Sequence, residues 1–144
     1  MKPRLALIPL LAAVLFTITN ARADEPSVLR QVMQALGSDM QVVTGGIARE
    51  DWQLVAKTAP LIAKHPQPPL SEKVRIIRYM GAEMSLFKAL DGETHQAALE
   101  LGKAADEQDG AKVIAAFGKL QQTCLACHQR FRSGFVQHFY GTDK

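Results

Sequence analysis

The sequence predicts an all-α protein, an antiparallel four-helix bundle whose reactive residues lie near the C-terminal end of the last helix. Three observations lead there. Apolar residues recur at alternating spacings of 4 and 3 through most of the chain, the period of one helix face. No sustained period-2 run of β-branched residues marks a strand. The amphipathic stretches are separated by short connections rich in proline, glycine or aspartate, which favours neighbouring helices packed antiparallel.

The 144 residues suffice for one domain with a real core. Residues 1–23, "MKPRLALIPLLAAVLFTITNARA", read as a secretory signal peptide. Lys2 and Arg4 form a positive start, Leu5 to Thr19 an apolar segment, and Ala21-Arg22-Ala23 a small-x-small cleavage site after Ala23. The apolar run is shorter than the roughly 20 residues a spanning helix needs, and Pro9 interrupts it. The expected mature domain is residues 24–144, exported to the periplasm with no membrane span left. The leader holds three of the 17 Lys and Arg residues and none of the 14 Asp and Glu residues, so the remainder is neutral. The net charge of +3 therefore belongs to the leader, and a nucleic-acid or anionic-membrane partner loses its support.

In the mature chain the first helix is expected along Leu29, Met33, Leu36, Met40, Val43 and Ile47, an unbroken seam that weakens at Gly45-Gly46. Glu50-Asp51 opens the second helix, with Trp52, Val55, Ala59 and Ile62 on its apolar face. "HPQPP", His65 to Pro69, is a connection, because proline lacks the backbone donor a helix needs. His65 is expected to be solvent-exposed there, with no ligand role. The third helix opens at Ser71-Glu72 with Val74, Ile77, Gly81 and Met84 inward, and Phe87 and Leu90 near that face. Asp91-Gly92 is the expected kink, after which Ala98, Leu101 and Ala105 carry the helix to about Glu107. Asp109-Gly110 marks a turn, and the last helix then carries Val113, Phe117, Leu120, Cys124, Cys127 and Phe131. Fraying is expected after Gly134.

"TCLACHQRF", Thr123 to Phe131, holds both cysteines of the chain and one of its four histidines. A Cys-x-x-Cys disulfide would close so small a loop that it would constrain the unfolded chain little. A zinc site would need a second pair of ligands, and His65, His95 and His138 offer no paired spacing. A thioredoxin-type pair would need a strand–helix context that is missing here. Cys-x-x-Cys-His is instead the attachment pattern of haem c. Each thiol adds to one vinyl group, and the adjacent imidazole reaches the iron from the proximal side. The expected site is thus Cys124 and Cys127 as covalent anchors and His128 as axial ligand, with one iron-bearing haem c per chain.

"CLACHQRFR" near the C-terminus of an exported four-helix chain resembles the class II cytochromes c, the cytochrome c′ family. The shared C-x-x-C-H-x-x-[FY]-[RK] pattern is matched by Cys124, Cys127, His128, Phe131 and Arg132. "MQALGSDMQVVTG", Met33 to Gly45, is similar to the family's early helix. The resemblance implies that Met33 faces the distal side of the iron, where a thioether ligand raises the reduction potential. It also implies that Arg132 flanks the proximal histidine and a propionate, with a surface cation near a helix end as the plain alternative. Phe131 is expected to pack on the cofactor or core, as are Met40, Met80, Met84 and Trp52 on the core alone.

These residues support three functions. A periplasmic single-electron carrier with Met33 as distal ligand, served by redox partner proteins, is the first. The second is a five-coordinate protein binding nitric oxide or carbon monoxide. The third is an interaction module whose haem acts as a staple. No acid–base or nucleophilic set suggests an enzyme, and a homodimer is the one self-association the family resemblance raises.

Overall fold

The computed structural model describes residues 27–141; the expected signal peptide and its cleavage site lie outside them. Six α-helices follow in order: α1 Val28–Ala48, α2 Trp52–Ala63, α3 Leu70–Met80, α4 Met84–Asp106, α5 Gly110–Cys127 and α6 Ser133–Tyr140. A 3₁₀ turn, Gly81–Glu83, joins α3 to α4, and a π turn, His128–Arg132, joins α5 to α6. No strand occurs among the described residues. Helices α1, α2, α4 and α5 pack as the four-helix bundle, and the expected all-α architecture holds.

The caps explain why each helix starts where it does. Asp51 Oδ1 accepts from the Leu54 amide at 3.0 Å, and Asp109 Oδ1 from the Lys112 amide at 3.1 Å. Helix α1 has a double cap. Ser27 Oγ accepts from the Arg30 amide, while the Glu72 carboxylate, reaching over from α3, accepts from the Val28 and Leu29 amides at 2.9 Å each. A carboxylate at a helix N-terminus also meets the positive end of the dipole. Ser27 Oγ lies 2.5 Å from the Tyr140 hydroxyl, so the first turn of α1 is held by α3 and α6 together.

Two clusters form the interior. The first joins Val43 of α1, Val55, Ala59 and Ile62 of α2, Ala97, Ala98, Leu101 and Ala105 of α4, and Val113 and Leu120 of α5. The small residues let backbones approach closely. A Cβ on Gly46 would lie 2.9 Å from Val55 Cγ2, so α1 and α2 need glycine there. The second cluster joins Ile76 and Met80 of α3 to Phe131 and Phe135, with Leu29, Tyr79, Met84, Phe87, Leu90, Cys127 and Phe139 against it.

Three expectations are corrected. The interruption of the third helix falls at Gly81, not Asp91-Gly92; Gly81 adopts φ +50, a region that favours glycine, whereas Gly92 lies inside uninterrupted α4. The inward face of α3 is Ile76 and Met80, and Val74 and Ile77 are exposed. A seam through Gly81 could not stay in register across a residue that ends the helix. The chain does not fray after Gly134 but forms α6 to Tyr140. Phe131, Phe135 and Phe139, one turn apart, extend the apolar face, and Gly134 is where Tyr79 crosses α6. A Cβ there would stand 2.5 Å from the Tyr79 hydroxyl.

Candidate functional site

Cys124 and Cys127 lie three residues apart near the end of α5, so they share one face of it. Both thiols are free and half-buried. Cys124 packs against the first cluster and Cys127 against the second, so the pair straddles the boundary between them. Burial pushes both thiols above their ordinary range, and for Cys127 the nearby charge of Asp91 adds to the effect. They therefore stay protonated at neutral pH. They are neutral, uncommitted sulfurs on a core-facing seam.

His128 follows at once and is exposed. Its amide still donates to the carbonyls of Cys124 and Leu125, but His128 and the four residues after it form the π turn. Such turns put an extra residue into a helical coil and occur often at functional sites. Here the turn re-aims α6 so that Phe135 continues the aromatic layer begun by Phe131. Phe131 is buried, with its ring 5.5 Å from Phe87 in an edge-to-face arrangement. The two irregular turns are tied to each other, because Arg130 pairs with Glu83. Arg132, the residue singled out from the sequence, is exposed on the π turn.

Met33 is 40% exposed, whereas Val32 beside it is buried. Leu29, one turn earlier, packs on the second cluster, and Leu36, one turn later, on the first. Met33 thus sits on α1 level with the boundary that the two thiols straddle, without joining either cluster. Met40 and Trp52 pack against the first cluster, and Met80 and Met84 lie in or against the second, as expected of core residues.

His65 is the clearest departure from expectation. Its side chain is 9% exposed and its Nε2 lies 2.9 Å from His95 Nε2, with an Asp91 carboxylate oxygen 3.5 Å away. The proline-rich connection turns His65 inward over α4, where Asp91 and His95 are one turn apart. The Asp91-x-x-x-His95 spacing was legible in the sequence; the approach of His65 from the loop was not. His138 stacks on Tyr79 at 4.2 Å between ring centres.

The donor set fits haem c. Two free thiols at the Cys-x-x-Cys spacing can each form one thioether, and the exposed imidazole next to them is a ready iron ligand. Aromatic and aliphatic side chains around Cys127 suit a flat apolar ring. No described helix is long and apolar enough to cross a membrane.

Known proteins agree. The family described as Cytochrome C' matches residues 28–132, from the first residue of α1 to the end of the π turn. Cytochrome c' of Rhodospirillum rubrum is 28% identical over 116 residues, which span 81% of this chain and 63% of that protein, so the chain covers less than two thirds of this relative. No solved structure matches. A helical bundle, a Cys-x-x-Cys-His at the end of its last long helix, and a family match covering both together establish that the chain belongs to the cytochrome c′ family, whose members carry covalently bound haem c with its iron.

Proposed function

We propose that the protein is an exported, periplasmic mono-haem cytochrome of the c′ type that binds nitric oxide or carbon monoxide on an accessible distal face. Cys124 and Cys127 would hold the group through thioethers, and His128 would be the proximal ligand. Bound haem supplies a one-electron iron couple and an iron site for diatomic ligands. The chain's own residues fasten, orient and shield. Phe131 and Phe87 close the apolar side next to Cys127, and the π turn, pinned by Arg130 to Glu83, sets where the imidazole projects. Arg132, on the same exposed turn, is placed to offer its guanidinium to a propionate.

One observation carries the choice of a gas-binding reading. Met33 is 40% exposed and lies outside both clusters, so neither cluster fixes the position of its sulfur. An axial ligand is ordinarily oriented by surrounding contacts. The name of the R. rubrum relative points the same way. A methionine-ligated electron carrier serving periplasmic redox proteins is the second reading, supported by the level of Met33 on α1 between Leu29 and Leu36.

Absorption spectra of the oxidised and reduced protein, with and without carbon monoxide, separate the two. A high-spin spectrum that shifts with carbon monoxide supports the first. A low-spin spectrum with a sulfur-to-iron charge-transfer band, lost in Met33→Leu, replaces it with the second.

A further inference from the structure

We propose that His65, Asp91 and His95 form a second metal site, distinct in its ligands from the haem attachment, that takes a divalent transition-metal ion of the zinc class, with water completing the coordination. The proposal does not rest on which ligand occupies the distal side of the haem iron.

The geometry carries it. The three donor atoms lie within 4.8 Å of one another. His65 Nε2 and His95 Nε2 are 2.9 Å apart, and each is 3.5 or 3.6 Å from Asp91 Oδ1. Ligands held at about 2.0–2.2 Å from one ion stand about 2.9 Å apart at right angles and about 3.4 Å apart at tetrahedral angles. The observed separations bracket that range, so one ion reaches all three donors with shifts of a few tenths of an ångström. Two imidazoles and one carboxylate are a donor set that zinc uses with an open fourth position.

The hydrogen bonding prepares the site. His65 Nδ1 lies 3.1 Å from the Pro66 carbonyl oxygen, which can only accept, so the proton of His65 resides on Nδ1. That leaves a lone pair on Nε2, aimed at His95 and Asp91. A ring nitrogen donating to a backbone carbonyl is the usual support of a ligating histidine. In the metal-free arrangement His95 Nε2–H must be the donor to His65. On binding, that hydrogen moves to His95 Nδ1 and the ion takes its place, with no net change in protons. Burial favours the site as well, since the His65 side chain is 9% exposed and that of His95 30% exposed.

The test uses the haem-loaded protein, in which His128 and the cysteines are occupied. After treatment with a chelator it is titrated with zinc sulfate in a calorimeter at neutral pH. One zinc per chain is expected, with affinity at least tenfold weaker in Asp91→Asn and His95→Gln and unchanged in the control His138→Gln. Absence of binding, or equal binding in all variants, overturns the proposal. X-ray absorption at the zinc edge of the unsubstituted protein checks it without any variant. Nitrogen and oxygen neighbours with imidazole scattering are expected, and a sulfur neighbour overturns it. The haem spectrum is recorded alongside, so a flat titration with a normal spectrum sinks the zinc site and leaves the cytochrome reading intact.

Discussion

The two clusters solve different problems. The first is built from Ala, Val, Leu and Ile on four helices and is almost fully buried. The second is aromatic, involves α3, the π turn and α6, and its members keep a few per cent exposure. Small branched residues allow α1, α2, α4 and α5 to approach closely and lock their register, as Gly46 against Val55 shows. Large flat rings cover irregular backbone, where helices stop and restart at Gly81 and His128. Cys124 and Cys127 stand at the joint between the almost fully buried aliphatic cluster and the aromatic one.

Substitutions that respect or cross this boundary should behave differently, and the largest effect is at the joint. Cys124→Ala combined with Cys127→Ala should abolish covalent attachment, so that acidified organic solvent extracts all the haem while none leaves the unsubstituted protein. Mass spectrometry of the purified chain checks the same point. In the first cluster, Leu101→Ala should cost about 2–5 kcal/mol in denaturant unfolding through the cavity it leaves. Its haem absorption maxima should stay in place. In the second cluster, Phe87→Leu should cost about 1 kcal/mol but displace those maxima, because Phe87 packs on Phe131 beside the proposed attachment. If Leu101→Ala moves the spectrum as much as Phe87→Leu does, the division of labour is wrong.

Smaller effects sharpen the picture. Removing the cap in Glu72→Ala should cost about 1 kcal/mol, read from the urea midpoint. Gly134→Ala should be neutral or destabilising beside Tyr79 yet stabilising by about 1 kcal/mol in a Tyr79→Phe background, where helix propensity acts unopposed. A double-mutant cycle measures that coupling. Arg130→Ala, which breaks an exposed ion pair, should change stability by less than about 1 kcal/mol.

Most of the first cluster was legible in the sequence, because a regular helix repeats and its seam can be counted: Val43, Val55, Ala59, Ile62, Leu101, Val113 and Leu120 all lie where the periodicity puts them. The attachment motif was legible for a different reason, since its chemistry demands adjacent residue types. The second cluster was read less well. A positive φ at Gly81 and a π turn at His128 each change the phase of the pattern, so residues beyond them fall on faces that simple counting misassigns. Ile76 against Val74 and the α6 helix are the results. His65 shows a further limit: a loop side chain takes its surroundings from the fold, and no local spacing announces that it will meet Asp91 and His95.

The clamp on the first turn of α1 has a practical consequence. Because Ser27 touches Tyr140 and Glu72 grips the amides after it, the beginning and end of the described chain are neighbours in space. A fluorophore pair placed just outside Ser27 and Gly141 would sit within a few nanometres in the native protein and separate on unfolding. The same adjacency gives an optical tether for following the molecule's opening, with no reliance on the colour of its cofactor.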